Sequence, residues 1–323
     1  MIKVMPSRMF PARLILAAAL VATVGCKNRN YVLEACPVRP LLGTSAASAR
    51  QASDLRVMTL NMWGINYVSA DIDARFDALA DRLSSDDGID VVGFEEVWAD
   101  APRQRLLEKL KPRFPHQADF QTEYGRSGLA IVSRHAFSGA PRFIPFPQTG
   151  KWWKPWTGEW FGGKGIGAAD LQAPGGAVWF FVTHLHACYE KSEGACDADD
   201  EYGVYRGHQL ETLRAAVNEI AGDEPALIVG DFNFTKASKY YLALTTKGVF
   251  PPDSFDPAWQ RIDEPAAPAR RIDYIWVRPG RSGTWTASEE ARAVFGEPVR
   301  GSNGTEVPLS DHCAMAATLR RSG

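Results

Sequence analysis

The chain has 323 residues, 45% of them hydrophobic, and a formal net charge of −2 at pH 7. That is enough apolar material for one large core, and a two-layer β architecture of this size commonly forms one domain. The near-even charge argues mildly against a nucleic-acid partner, which usually goes with a basic surplus.

At the start of the chain, Lys3, Arg8 and Arg13 precede an apolar stretch over 14–24 that runs into Gly25 and Cys26. The stretch is too short to span a bilayer and suits a signal-peptide core. Thr23-Val24-Gly25-Cys26 resembles a bacterial lipoprotein box, with Thr23 where that pattern prefers Leu. Residues 1–26 are therefore expected to be a signal peptide of lipoprotein type, with Cys26 lipidated. Ordinary secretion is the alternative. The expected location is an outer-membrane or cell-surface lipoprotein, or a secreted or periplasmic protein. No other stretch reads as a transmembrane helix. Residues 27–53, with Pro37, Pro40, Gly43 and an Ala/Ser/Arg run, read as a flexible tether. Export places the remaining cysteines in an oxidising compartment. A local disulfide between Cys188 and Cys196 is expected, with Cys36 or Cys313 as competing partners. No C-x-x-C pair occurs, so a cysteine metal site is not expected.

From Leu55 the chain changes character, and the catalytic domain is placed at 54–320. Residues 55–62 read as a strand. Phe76, Leu79, Ala80 and Leu83 repeat at helical spacing, as do Leu210, Leu213, Val217 and Ile220. Short apolar runs follow at 89–94, 129–132, 178–182, 226–229, 272–277 and 314–319. Strands outnumber helices, and helices intervene between several of them. That pattern suits two packed β-sheets with helices outside. No internal repeat is evident.

Polar residues sit where these runs end. Asn61 closes the first and Glu95-Glu96 the second, His184 follows 178–183, Asp231 and Asn233 follow 226–230, and Asp311-His312 precede the last. One such ending is ordinary, because polar residues at strand ends cap neighbouring backbone. Five in one chain point to strand ends converging on one site. Glu96 and Asp311 are hard oxygen donors that suit Mg²⁺ or Mn²⁺ better than zinc. There is no H-E-x-x-H and no G-x-S-x-G, so zinc proteolysis and acyl transfer are poorly supported. Carboxylates, amides and histidines around a hard cation suit hydrolysis of a phosphate ester by an activated water.

The order of these residues resembles the endonuclease/exonuclease/phosphatase superfamily. That family shows an Asn after its first strand, a Glu ending its second, then T-H, G-D-x-N, R-x-D-Y and S-D-H. The chain carries Asn61, Glu96, Thr183-His184, Gly230-Asp231-Phe232-Asn233, Arg271-Ile272-Asp273-Tyr274 and Ser310-Asp311-His312 in the same order. Each motif alone is weak, and six in order over one domain length are strong. Within the superfamily the chain looks like the neutral sphingomyelinases. The similar segments are Leu60-Asn61-Met62-Trp63-Gly64-Ile65, Glu95-Glu96-Val97-Trp98, the glycine-rich segment 158–167, Thr183-His184-Leu185-His186 and Pro308-Leu309-Ser310-Asp311-His312. The resemblance implies an α+β fold, a four-layer α/β/β/α sandwich of two packed mixed β-sheets of DNase I type. It implies hydrolysis of sphingomyelin or a related choline phospholipid to ceramide and phosphocholine, with Mg²⁺ as cofactor and Mn²⁺ able to substitute. It also implies roles. Glu96, Asn61 and Asp311 form the metal end. His312 is the general base and Asp273 orients it. Asp231 positions the water, and His184 and Asn233 hold the phosphate oxygens.

His116, His135 and His208 are read as structural. His186 is undecided between the site and loop structure. Asp273 could serve only as an ion-pair partner of Arg271. Lys164, among Gly162, Gly163, Gly165 and Gly167, is either a solvated turn lysine or a phosphate or headgroup contact. Trp152, Trp153 and Trp156, interleaved with Lys151 and Lys154, suit a loop at a membrane surface better than a core. The expected partners are a phospholipid substrate and the membrane surface; no obligate protein partner is expected, and neither is nucleic acid. A DNase-like endonuclease on the same fold is the competing function, and a catalytically inert lipid-binding lipoprotein is the third.

Overall fold

The structure is a computed structural model. It describes residues 36, 51–85, 88–122, 125–147, 163–189, 201–246, 257–262, 271–288 and 291–322. The expected signal peptide, most of the expected tether, Cys196 and the tryptophans at 152, 153 and 156 lie outside the described residues.

The first sheet is built on β1 (Asp54–Asn61), β2 (Val91–Glu95), β3 (His116–Thr122), β4 (Gly125–Ser133), β11 (Thr284–Ala287) and β15 (Ala314–Ser322), in the order β11-β15-β1-β2-β4-β3. The short β12 (Arg292–Val294) also pairs with β15, and β13 (Val299–Arg300) pairs antiparallel with β14 (Glu306–Val307) in a separate two-stranded ribbon. The second runs β5-β6-β7-β8-β10-β9, from β5 (Arg142–Pro145), β6 (Gly165–Ala173), β7 (Gly176–His184), β8 (Ala226–Asp231), β9 (Gln260–Arg261) and β10 (Asp273–Arg278). Each sheet is mixed: β1–β2 and β7–β8 are parallel, and their other neighbours are antiparallel.

Alternation along the central strands explains the layering. Leu55 and Val57 of β1 pack between the sheets with Val182, Val229 and Ile275. Met58 and Leu60 point the other way, against Phe76, Leu79 and Leu83 of α1 (Ile72–Ser85) and Leu106 and Leu110 of α2 (Asp100–Leu110). In β8, Leu227 and Val229 join the inter-sheet core. Ala226 and Ile228 face Leu210, Leu213 and Val217 of α3 (Gly203–Ala221) and Leu244 of α4 (Lys239–Thr245). Strands buried on both faces read as unbroken apolar runs, so their sequences reveal a strand without revealing which face meets which layer. The result is the expected four-layer α/β/β/α sandwich of DNase I type.

Two parallel pairs need crossovers, and α1 and α3 supply them, giving β1-α1-β2 and β7-α3-β8. Open sheets of this kind gather ligands beyond the carboxyl ends of their parallel strands. β15 runs antiparallel to β1 and β10 antiparallel to β8, so their first residues come to that same end. A disulfide joins Cys36 to Cys313, across a sequence separation of 277. Neither therefore competes for Cys188, which is itself disulfide-bonded, to a partner outside the described residues.

Candidate active site

Three short segments at the strand ends share one local device. The Trp63 N–H donates to Asn61 Oδ1 at 2.9 Å, the Asn233 N–H to Asp231 Oδ1 at 2.9 Å, and the His312 N–H to Ser310 Oγ at 3.2 Å. In each, a polar side chain accepts from the backbone two residues on and turns the chain sharply as the strand ends or begins. This explains the spacings N-x-W, D-x-N and S-x-H. Glu96 and Asn233 are held at φ 54° and φ 53°, a left-handed conformation that costs a non-glycine residue about 1–3 kcal/mol. Gly230 sits at φ 147°, and a Cβ there would lie 1.9 Å from the Thr183 carbonyl oxygen. Only glycine lets β8 approach β7 closely enough to bring Asp231 opposite His184.

The seam between the sheets is closed by side chains. Asn61 Nδ2 donates to Glu96 Oε1 and to Asp231 Oδ2, each at 3.1 Å. The same Asp231 oxygen lies 3.5 Å from His184 Nε2 and 3.8 Å from His312 Nε2. His312 Nδ1 meets Asp273 Oδ2 at 2.9 Å. Arg271 instead donates Nε to the Asp273 backbone carbonyl, so the Asp273 carboxylate engages the histidine. Lys164 is buried, its Nζ 2.8 Å from the Leu185 carbonyl and 3.1 Å from His184 Nε2. That excludes the solvated-turn reading. Asn233 Nδ2 donates to the same Leu185 carbonyl at 3.0 Å. An ammonium can only donate, so His184 accepts at Nε2 and carries its proton on Nδ1.

Burial and mutual repulsion set the proton affinities. Glu96 is pushed up to about 7, first by burial and then by Asp311. Asp231 is also raised by burial, against the opposing pull of His312. His184 is held well below the usual imidazole range by burial and by the Lys164 charge, so it is neutral. Burial disfavours the His312 cation, but Asp273 and Asp231 outweigh it and raise that histidine well above its usual value.

The paired acids at 95 and 96 separate cleanly. Glu95 is fully buried against Thr59, whose Oγ1 donates to it at 2.7 Å, whereas Glu96 reaches the seam. Glu95 Oε2 and Glu96 Oε2 are both buried with no hydrogen-bond partner among the described residues; burial raises Glu95 well above the usual carboxylate range, whereas Glu96 lies at the seam beside Asn61 and Asp311. A buried carboxylate oxygen left in this state is costly unless something cationic completes it. Glu96 and the exposed Asp311 offer hard oxygen donors, and Asn61 Oδ1 keeps a second lone pair beyond its bond from the Trp63 N–H, a donor set that fits a hard divalent cation. Asp231, Asp273 and His312 also place possible ligand atoms within 4.8 Å of one another. There, however, His312 Nδ1 is already engaged by Asp273, the arrangement of a base and its orienting acid.

His186 is a structural residue: its ring is stacked on those of Tyr202 and Tyr205 at centroid distances of 4.9 and 5.3 Å. Sequence reasoning missed Arg75. The available signal was a charged residue four positions before Leu79, on the apolar stripe of α1.

The endonuclease/exonuclease/phosphatase family profile matches residues 58–312. The chain belongs to this family. Among family relatives, it is 31% identical over 313 residues to an inositol phosphosphingolipids phospholipase C of Schizosaccharomyces pombe, covering 84% of this chain and 70% of that one. It is 29% identical over 285 residues to human (Homo sapiens) sphingomyelin phosphodiesterase 2, covering 82% of this chain and 64% of that protein. The chain thus spans less than two thirds of the human relative's length. A crystal structure of Staphylococcus aureus beta toxin with bound magnesium ions superposes with a TM-score of 0.55 at 18% identity, covering 82% of this chain and 99% of that one. The likeness shows the same fold.

Proposed function

We propose that the protein is a Mg²⁺-dependent phosphodiesterase that hydrolyses sphingomyelin, or a related choline phospholipid, to ceramide and phosphocholine. The observation that carries this reading is the seam cluster. A His312–Asp273 pair and a buried Glu96 oxygen that has no partner among the described residues flank the shared Asp231. The sphingolipid-cleaving relatives, similar over more than four fifths of the chain, support the substrate class.

Glu96, Asn61 and Asp311 would hold the cation. When bound, it would polarise the phosphoryl oxygens, neutralise the departing alkoxide and offset the acidic field that keeps His312 protonated. His312 takes the proton of the attacking water at Nε2, while Asp273 fixes the proton on Nδ1. Asp231, 3.8 Å from that Nε2, orients the water. Lys164 and Asn233 converge through the Leu185 carbonyl and, with His184, hold the non-bridging phosphate oxygens where negative charge develops. Trp152, Trp153 and Trp156 engage the bilayer surface. Export with lipidation at Cys26 supplies the tether. From residue 26 to the Cys36 disulfide is ten steps of chain, a reach of at most about 35 Å.

The test is an assay of purified protein on sphingomyelin vesicles, lysophospholipid and plasmid DNA, with Mg²⁺ and with EDTA. Phosphocholine release that requires Mg²⁺ or Mn²⁺ is expected. Cleavage of plasmid with no lipid turnover would replace this reading with the endonuclease, and turnover in EDTA would remove the cation from it.

A further inference from the structure

Arg75 lies on α1 and is 1% exposed, yet no carboxylate among the described residues comes within ion-pair distance of it. Its guanidinium is directed instead at four backbone carbonyls. Nη1 donates to Met62 O at 2.8 Å and to Leu309 O at 3.0 Å, Nη2 to Trp63 O at 2.8 Å, and Nε to Ala70 O at 2.8 Å. The same plane lies over the Trp63 ring, 5.1 Å from its centroid. Burying a guanidinium without a counter-charge is costly, and carbonyl oxygens are what offset it here. Burial lowers its proton affinity to about 10, partly opposed by the fields of Asp311, Asp71 and Glu96, so the group stays charged at neutral pH.

The four carbonyls are not a random set. Met62 and Trp63 directly follow Asn61, and Leu309 shortly precedes Asp311 and His312. These loops are more than two hundred residues apart in sequence and lie at the same end of neighbouring strands. One further bond joins them, from Ser310 Oγ to the Asn61 carbonyl at 2.5 Å. We propose that Arg75 is a positioning residue of the catalytic site, a clamp that fixes the loop bearing Asn61 against the loop bearing Asp311 and His312. The clamp thereby sets the spacing between the cation-binding end and the base. A planar fork with five N–H groups can satisfy four diverging carbonyls at once, and a lysine ammonium with three cannot.

The proposal rests on the metal-assisted reading of the site. It is tested with Arg75→Lys in the full-length protein, by Mg²⁺ titration calorimetry and by steady-state hydrolysis of the soluble diester bis(p-nitrophenyl) phosphate. The variant is expected to fold, to bind Mg²⁺ roughly 10-fold more weakly or worse, and to lose roughly 10–100-fold in kcat with little change in KM. A folded variant with wild-type kcat and Mg²⁺ affinity overturns the clamp and leaves the metal-assisted reading standing. Wild-type protein that binds no Mg²⁺ overturns both. If Arg75→Lys does not fold, Arg75→Met, which removes the buried charge, is read in the same two assays. Failure of both variants to fold makes Arg75 a residue of stability alone and overturns the proposal.

Discussion

The two sheets make an instructive pair. Each presents one parallel β-α-β unit and one antiparallel neighbour to the same end of the sandwich: β1, β2 and β15 in the first, β7, β8 and β10 in the second. The frames match and the side chains differ. The first sheet delivers Asn61, Glu96, Asp311 and His312; the second delivers His184, Asp231, Asn233 and Asp273. On our reading the first carries the cation and the base, and the second carries the phosphate grip and the groups that orient the base and the water. Neither half is complete alone. Among the described residues Asn61–Asp231 and His312–Asp273 hydrogen-bond across the seam, so the packing of the inter-sheet core is also the alignment of the chemistry.

The sharpest way to break this division is His312→Ala. Turnover of a soluble diester should fall by roughly 10²–10⁴-fold, the usual worth of a general base. Mg²⁺ binding, followed by calorimetry, should persist. Loss of the cation along with the rate would show that the two functions within the first sheet cannot be separated.

Glu96→Gln probes the cation-binding end of the same sheet, with a two-sided effect. It should remove Mg²⁺ binding and reduce kcat by roughly 10³-fold, because an amide is a poor ligand for a hard cation. In EDTA at pH 8 the same variant should melt at or above the wild-type temperature, by up to a few degrees, since it relieves a buried carboxylate without a full set of partners. A variant that melts lower in chelator would mean that Glu96 is held by interactions other than a cation.

The smallest effect expected is a pH dependence of the metal-free protein. Glu96 rises from 4.5 to about 7 on folding, and Asp231 and His312 are raised as well. All three bind protons more tightly folded than unfolded. Their contribution is therefore present at low pH and is lost as pH rises through the folded values. The gap in melting temperature between Mg²⁺-loaded and metal-free protein should widen from pH 4.5 to above 7. A gap independent of pH, measured by calorimetry, would detach these groups from the cation.

The strand ends were legible because each catalytic candidate interrupts an apolar run, and apolar runs mark buried strands whatever the fold. Which ends meet was not legible. The register that sets His184 and Asp273 against Asp231 depends on pairings between strands far apart in sequence. Lys164 could not be decided, because its glycine neighbours signal a turn while burial comes from β6 starting at Gly165. Arg75 escaped because a charged residue on the stripe of a helix's first turn ordinarily extends its head into water, and the four carbonyls that receive it come from three separate loop positions. Cys36–Cys313 escaped for the opposite reason: the short spacing of Cys188 and Cys196 drew the attention that a separation of 277 residues could not.

The place of β15 has a consequence for the order of events in the cell. It lies inside the first sheet, flanked by β1 on one side and by β11 and β12 on the other, and the expected base stands two residues before it. Until residues 314–322 have emerged, β1 lacks its neighbour on the side of β11 and the seam lacks both His312 and Asp311. A nascent chain can therefore neither finish its core nor assemble its cutting groups, and both arrive in the same step.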